Sequence, residues 1–215
     1  MWVRARDTGS LAAVAVGLAL LWPAVAPAAP SSAAVDANGN PFTGGLGFDP
    51  LSVTVRTGGT VTWTNTEPFV IPHDATENHG LWAVPPEGSI AAGQSAGRSF
   101  DAGTFGYFCT IHGSDTMSGT VVVPIRKRSV RRHGRRLVRL QWGDGLPPPG
   151  QVFDVQFRKV GASNWKAFLR GTGNVGATLK PGDPARGMLE FRSRIRDADE
   201  AIRVSGYSPP VTVRL

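Results

Sequence analysis

Cysteine is nearly absent from this chain of 215 residues: Cys109 stands alone, so no internal disulfide can staple the fold. Exported proteins usually carry cysteines in pairs, and a lone thiol points to metal ligation, an inert buried side chain or an intermolecular disulfide. Long helical periodicity is missing outside the N-terminus, and no apolar run of 20 residues follows the first thirty. Both absences argue against a helical bundle and against a membrane span in the body of the chain. Basic residues are scarce early: Arg4, Arg6, Arg56 and Arg98 face nine acids up to Pro124, a net of −5, whereas nineteen basic residues face seven acids beyond it, a net of +12. The halves carry opposite signs, and the length allows one large core or two small ones.

Turn chemistry is abundant instead. Gly 27 and Pro 17 cut the chain into short segments, so an all-β protein is expected. Residues 51–55 and 60–65 alternate apolar and polar, with Val61 and Trp63 on one face. Residues 104–109 and 119–123 read as further strands, 35–49 as an irregular entry, and 74–97 as a long loop with one short strand near 89–92.

The densest chemistry lies in residues 107–123, YFCTIHGSDTMSGTVVV, where Cys109, His112 and Met117 fall within nine residues. A thiolate, an imidazole and a thioether form a soft donor set that suits copper, and a second imidazole would complete a trigonal site with a weak axial thioether. His73 is the candidate because it comes soonest after the strand at 60–65; His79 is the alternative. Such a site suits both Cu(I) and Cu(II), which points to one-electron transfer. Zinc also takes Cys and His, but a thioether favours the softer ion. Asp74 follows His73, and a carboxylate there would stabilise Cu(II) if it pointed inward.

The first residues have the form of an export signal: Arg4 and Arg6, an apolar stretch from Leu11 to Trp22, then small residues through Ala34. Cleavage is expected after Ala28 or Ala34, giving a signal segment 1–34 and a secreted, periplasmic or cell-surface protein; an uncleaved membrane anchor is the rival reading.

With FDPLSVTVRTGGTVTWTN, a His shortly after it, GTFGYFC, and C-x2-H-x4-M followed by SGTVVV, residues 46–123 resemble a cupredoxin of the plastocyanin and pseudoazurin type. The resemblance implies an eight-strand Greek-key sandwich, assigned to residues 35–124, with copper held at one end by His73, Cys109, His112 and Met117. It also implies a redox partner protein. Phe108 and Thr110 flank the cysteine where multicopper oxidases carry histidines, and one Cys cannot build a binuclear centre, so a carrier rather than an enzyme is expected.

Residues 125–136 (IRKRSVRRHGRR) read as a basic linker entering the first strand of a second unit, and strands are expected in residues 137–142, 152–160, 165–169, 177–179, 188–195 and 210–213, the rhythm of a small sandwich of about seven. VRLQW, FDVQFRKVGASNWKAF, ATLKPG and LEFRSRIRD make residues 137–215 similar to a fibronectin type III domain, with Trp142, Trp165 and Leu179 at core positions and Leu189 in place of a corner tyrosine. Arg192, Arg194 and Arg196 alternate along one strand and suggest a face for an anionic cell-wall polymer or membrane surface; docking on the acidic half is another use for them. Nucleic acid fits an exported protein poorly, and nothing suggests more than a monomer. Copper buffering without electron transfer and an adhesive scaffold are the competing functions.

Overall fold

The computed structural model describes residues 28–38, 45–68 and 70–215. Every regular element among them is a strand. None of their segments is a helix long and apolar enough to cross a membrane. The first unit holds β1 (Ser32–Asn38), β2 (Gly47–Asp49), β3 (Ser52–Thr54), β4 (Gly59–Asn65), β5 (Ala75–Glu77), β6 (Ala83–Val84), β7 (Ser95–Phe100), β8 (Gly103–Phe108) and β9 (Ser118–Val123). They form two sheets, β2-β1-β4-β7 and β3-β9-β8-β5-β6. In β4 every second residue, from Gly59 to Asn65, is buried, and β8 alternates in the same way, because a strand with one face on a core has period two. Between the sheets Trp63 meets Tyr107 edge-on at 5.4 Å and lies 5.9 Å from Trp82 and 6.1 Å from Phe100. Each such ring contributes roughly 1.5–3 kcal/mol by burial.

Three expectations for this half change. The segment expected to be an irregular entry contains β1 and β2, and β1 starts at Ser32, pairing in parallel with β4 from Ser32 opposite Thr60 onward. A cut after Ala34 would remove three of the seven residues of that strand, whereas a cut after Ala28 leaves it whole. Residues 1–27, the larger part of the expected export signal 1–34, lie outside the described residues. The long loop at 74–97 carries β5, β6 and the start of β7, and the short strand expected near 89–92 is a single bridge between Ile90 and His73.

The second unit comprises β10 (Arg126–Arg132), β11 (Arg135–Gln141), β12 (Gln151–Lys159), β13 (Lys166–Thr172), β14 (Gly176–Leu179), β15 (Met188–Asp197) and β16 (Val211–Arg214), in sheets β10-β11-β14 and β13-β12-β15-β16. The residues expected to form a linker are thus mostly strand. His133 and Gly134 both take positive φ (48° and 74°), the two-residue turn that matches the twist of a hairpin, and it folds β10 back onto β11. Trp142, Leu179 and Leu189 are buried as core residues. Trp165 is only half-buried, because the guanidinium groups of Arg158 and Arg192 cover it at 4.3 and 4.1 Å.

The two units share one apolar cluster. Backbone bonds join them: the Ala102 N–H donates to the Trp142 carbonyl (2.7 Å), and Thr104 and Gly206 exchange N–H to carbonyl bonds of 3.0 and 2.8 Å. The units also approach closely at Gly58, φ +77°, where an added Cβ would overlap the carboxyl group of Asp144. These contacts lie at the start of β4 and β8, while the expected metal ligands follow their ends. Five residue steps of extended chain from Thr104 to Cys109 put these contacts roughly 16 Å along β8 from the ligand loop.

Candidate metal centre

Cys109 follows β8, and the chain then folds into a tight loop before returning as β9. The N–H groups of His112 and Gly113 donate to the Cys109 carbonyl (3.3 and 2.9 Å), and the Met117 N–H donates to the Gly113 carbonyl (3.0 Å). The Cys109 N–H closes the loop on the Met117 carbonyl at 3.0 Å. Three-residue spacing within that turn sets His112 Nδ1 3.4 Å from Cys109 Sγ.

His73 lies on the segment between β4 and β5, just before β5 joins β8. Its backbone exchanges bonds of 3.1 and 2.6 Å with Ile90, and the buried Asn65 amide donates to the Ile71 and Ile90 carbonyls at 2.8 and 2.9 Å. The loop so fixed places His73 Nδ1 3.9 Å from the same sulfur. The donor atoms of His73, Cys109 and His112 all lie within 4.8 Å of one another. Bonds of about 2.0–2.3 Å to nitrogen and sulfur set neighbouring donors about 3.6–3.8 Å apart around one ion. The separations here bracket that value, so the three residues fit a shared metal. Met117 is fully buried on the same loop. His79 is not at the site: its Nδ1 lies 3.3 Å from Glu77 Oε1 and half its side chain is exposed.

Protonation favours ligation by His73. Burial, then the neighbouring His112, lower its pKa to about 4 against the opposing pull of Asp74, so the imidazole is neutral at neutral pH. Burial pushes the Cys109 thiol up, while amide N–H groups of Asp74, Ile111 and His112 act in the opposite direction. A cation displaces the proton of such a thiol.

Asp74 does not stand free beside the ligands. Its carboxylate accepts from the Thr110 N–H and hydroxyl, both at 2.6 Å, and from the Thr76 hydroxyl at 3.3 Å, tying the His73 segment to the Cys109 loop. Two supporting residues escaped the sequence reading. Asn65 had a signal, since it continues the inward parity of Val61 and Trp63 and an inward amide must find partners. Glu67 had none: its side chain is fully buried, its oxygens have no hydrogen-bond partner among the described residues, and Oε1 lies 3.8 Å from the equally unpartnered Nε2 of His73.

A two-sheet sandwich with one sulfur and two imidazoles gathered at the end of its strands is the architecture of a cupredoxin. A family model described as copper binding proteins of the plastocyanin/azurin family matches residues 35–124. Plastocyanin of Scenedesmus fuscus is 39% identical over 90 residues, covering 38% of this chain and 90% of that protein. Chloroplastic plastocyanin of Tetradesmus obliquus is 37% identical over 92 residues, covering 38% of this chain and 61% of that protein. Among solved structures, a purple cupredoxin from Nitrosopumilus maritimus aligns with a TM-score of 0.36 at 25% identity, over 42% of this chain and 98% of that one. Through residues 35–124 the chain belongs to the plastocyanin/azurin family of copper binding proteins, and copper is the cofactor of its site.

Proposed function

We propose that the protein is an exported carrier of single electrons, with a type 1 copper held by His73, Cys109, His112 and Met117. The observation that carries this reading is the convergence of one buried sulfur and two ring nitrogens within 4.8 Å. Bound copper supplies the one-electron change between Cu(I) and Cu(II). The chain's own residues keep the donors in place: Asn65 and Ile90 hold His73, Asp74 links it to Thr110, and the closed loop holds Cys109 against His112. Donors that barely move between charge states need little rearrangement during transfer.

His112 is half-buried where His73 is fully enclosed, so its ring is the exit for the electron. Ile111, Val70 and Leu51, respectively 48%, 94% and 67% exposed, belong to segments next to the ligands, and such exposed side chains suit brief docking of a redox partner protein. Export is supported by the charged and apolar N-terminal pattern. The second unit reads as a fibronectin type III-like accessory domain, supported by its three-plus-four strand order. Its place at the far pole leaves the copper end open.

The copper-loaded full chain is expected to show an intense visible thiolate-to-copper band and a reversible one-electron couple. A colourless copper complex would overturn the thiolate site. Colour without a reversible couple would leave a copper store rather than a carrier.

A further inference from the structure

The arginines of the second unit fall into two groups with different surroundings. Those on β15 are engaged: Arg194 and Arg196 reach Asp154 Oδ2 at 3.1 and 3.3 Å, and Arg192 donates to Gln156 Oε1 while lying 4.1 Å from the rings of both Trp165 and Tyr207. The anion-binding face expected on that strand is therefore occupied by the protein's own groups.

The hairpin of β10 and β11 is the opposite case. It carries Arg126, Lys127, Arg128, Arg131, Arg132, Arg135, Arg136 and Arg139 and not one acid. Among the described residues none of the eight has a carboxylate within ion-pairing distance. Their register sets like against like: Arg128 opposite Arg139, Arg131 opposite Arg136, Arg132 opposite Arg135. Like charges directly opposite across a ladder destabilise it. One or two charges protect an edge strand from aggregation, and facing pairs are not needed for that. Strand parity gathers Arg126, Arg128, Arg132, Arg135 and Arg139 on the face turned away from the buried Leu140, and a groove lined by Arg132, Arg135, Leu137, Thr178 and Lys180 runs beside the hairpin tip.

We propose that this outer face of the β10-β11-β14 sheet binds a linear phosphate polymer, whose charges lie between the facing arginines and relieve their repulsion. Guanidinium forks match phosphate oxygens two at a time. The basic face extends about 20 Å along β10, too long for a single small anion. A bilayer fits less well, since the large exposed apolar side chains (Leu51, Val70, Ile111, Leu146, Val160, Met188 and Ile202) all lie outside this sheet. Nucleic acid fits less well too, because neither strand of the hairpin carries an aromatic ring for stacking bases. The proposal goes beyond electron transfer and does not depend on copper.

The test is binding of long-chain inorganic polyphosphate to the full chain across a salt series. Affinity is expected to fall steeply with salt, and the double variant Arg132→Ala/Arg135→Ala to weaken binding at least tenfold while flattening the log–log slope by about 1.4, roughly 0.7 for each charge. Lys159→Ala/Lys166→Ala removes the same charge from exposed positions of the other sheet and is expected to change neither. Polyphosphate should raise the melting temperature of the parent protein and not of the hairpin variant. The variant alone should melt no lower than the parent, because a repelling pair has gone, and this establishes that it is folded. Equal losses in both double variants, unchanged binding by the hairpin variant, or tighter binding of phosphatidylglycerol vesicles or a single-stranded oligonucleotide at matched phosphate would overturn the proposal.

Discussion

The two sandwiches use their polar residues in opposite ways. The first turns them inward at one end: Asn65, Glu67, His73 and Asp74 are buried and gather beside Cys109, on loops held by hydrogen bonds. The second keeps its charge on sheet faces, where Arg158, Arg192, Arg194 and Arg196 pair with acids, an amide and aromatic rings, while the basic side chains of the β10–β11 hairpin meet no carboxylate among the described residues. A polar group inside is penalised by desolvation for each missing partner, and Asn65 and Asp74 are accordingly hydrogen-bonded, while Glu67 and His73 Nε2 stand as exceptions beside the metal centre. On a surface the penalty is small, and charge can be held in reserve. Chemistry accordingly sits at the end of one unit and charge on the face of the other.

If that contrast holds, substitutions at the copper end act on the metal and leave the second unit intact. The largest effect is expected from Cys109→Ser, which should abolish the visible band while the chain still melts cooperatively; a surviving band would put the sulfur site elsewhere. Next comes Asn65→Ala, which leaves the Ile71 carbonyl and the Glu67 N–H without partners and takes one of two donors from the Ile90 carbonyl. A loss of about 3 kcal/mol is expected in denaturant titration, with weakened copper retention, since two buried groups lose their partners.

How much of this was legible beforehand follows from where each signal lies. The ligand loop was readable because Cys109, His112 and Met117 share one turn, so sequence spacing is spatial spacing. The choice of His73 over His79 rested on its coming soonest after β4, and the fold carries His79 away to Glu77. Alternation exposed β4 and β8, where one face is apolar and the other polar. It concealed β1, whose small residues resemble the tail of an export signal and whose identity as a strand comes from parallel pairing with β4. It concealed β10 as well: a strand with five basic residues in seven reads as solvated chain until β11 supplies its ladder. Trp165 resembled a core residue because sequence cannot distinguish burial under apolar groups from burial under guanidinium.

The junction between the units offers a way to blur the contrast. Gly58→Val would need a side chain where Asp144 already sits, on backbone at φ +77°, and is expected to cost about 2 kcal/mol and to separate one melting transition into two. A single sharp transition in the variant would mean that docking does not depend on this contact. A smaller change sharpens the contrast from the copper side. Glu67→Gln keeps the shape but removes a buried charge 3.8 Å from His73 Nε2. The reduction potential is expected to rise by roughly 40 mV, the equivalent of about 1 kcal/mol for one electron. Voltammetry of the two copper-loaded proteins measures it, and an unchanged potential would show that the carboxyl does not act on the site.

The smallest effect concerns Asp101, whose Oδ1 accepts the Asp144 N–H at 3.0 Å across the junction. Burial raises its pKa above the ordinary carboxylate value, helped by the nearby Asp144 charge and opposed by the Asp144 amide and by Arg98. A carboxyl with a raised folded pKa holds its proton in the native state after the unfolded chain has released it. Over that window the native state binds more protons, so stability falls as pH rises from the unfolded pKa through the folded one. Asp154 has the opposite sign: burial raises it, but the Gly171 N–H, Arg194 and Arg196 outweigh that and hold it low, so its contribution is present above the unfolded pKa and lost as pH falls through the folded one. Asp101→Asn keeps an acceptor for the Asp144 N–H and removes the first dependence alone. Denaturant midpoints of parent and variant, followed upward from mildly acidic pH, should diverge with the parent losing ground. Parallel curves would place Asp101 among the charges that the surface tolerates freely, and the division between matched interior and unmatched exterior would not extend to the junction.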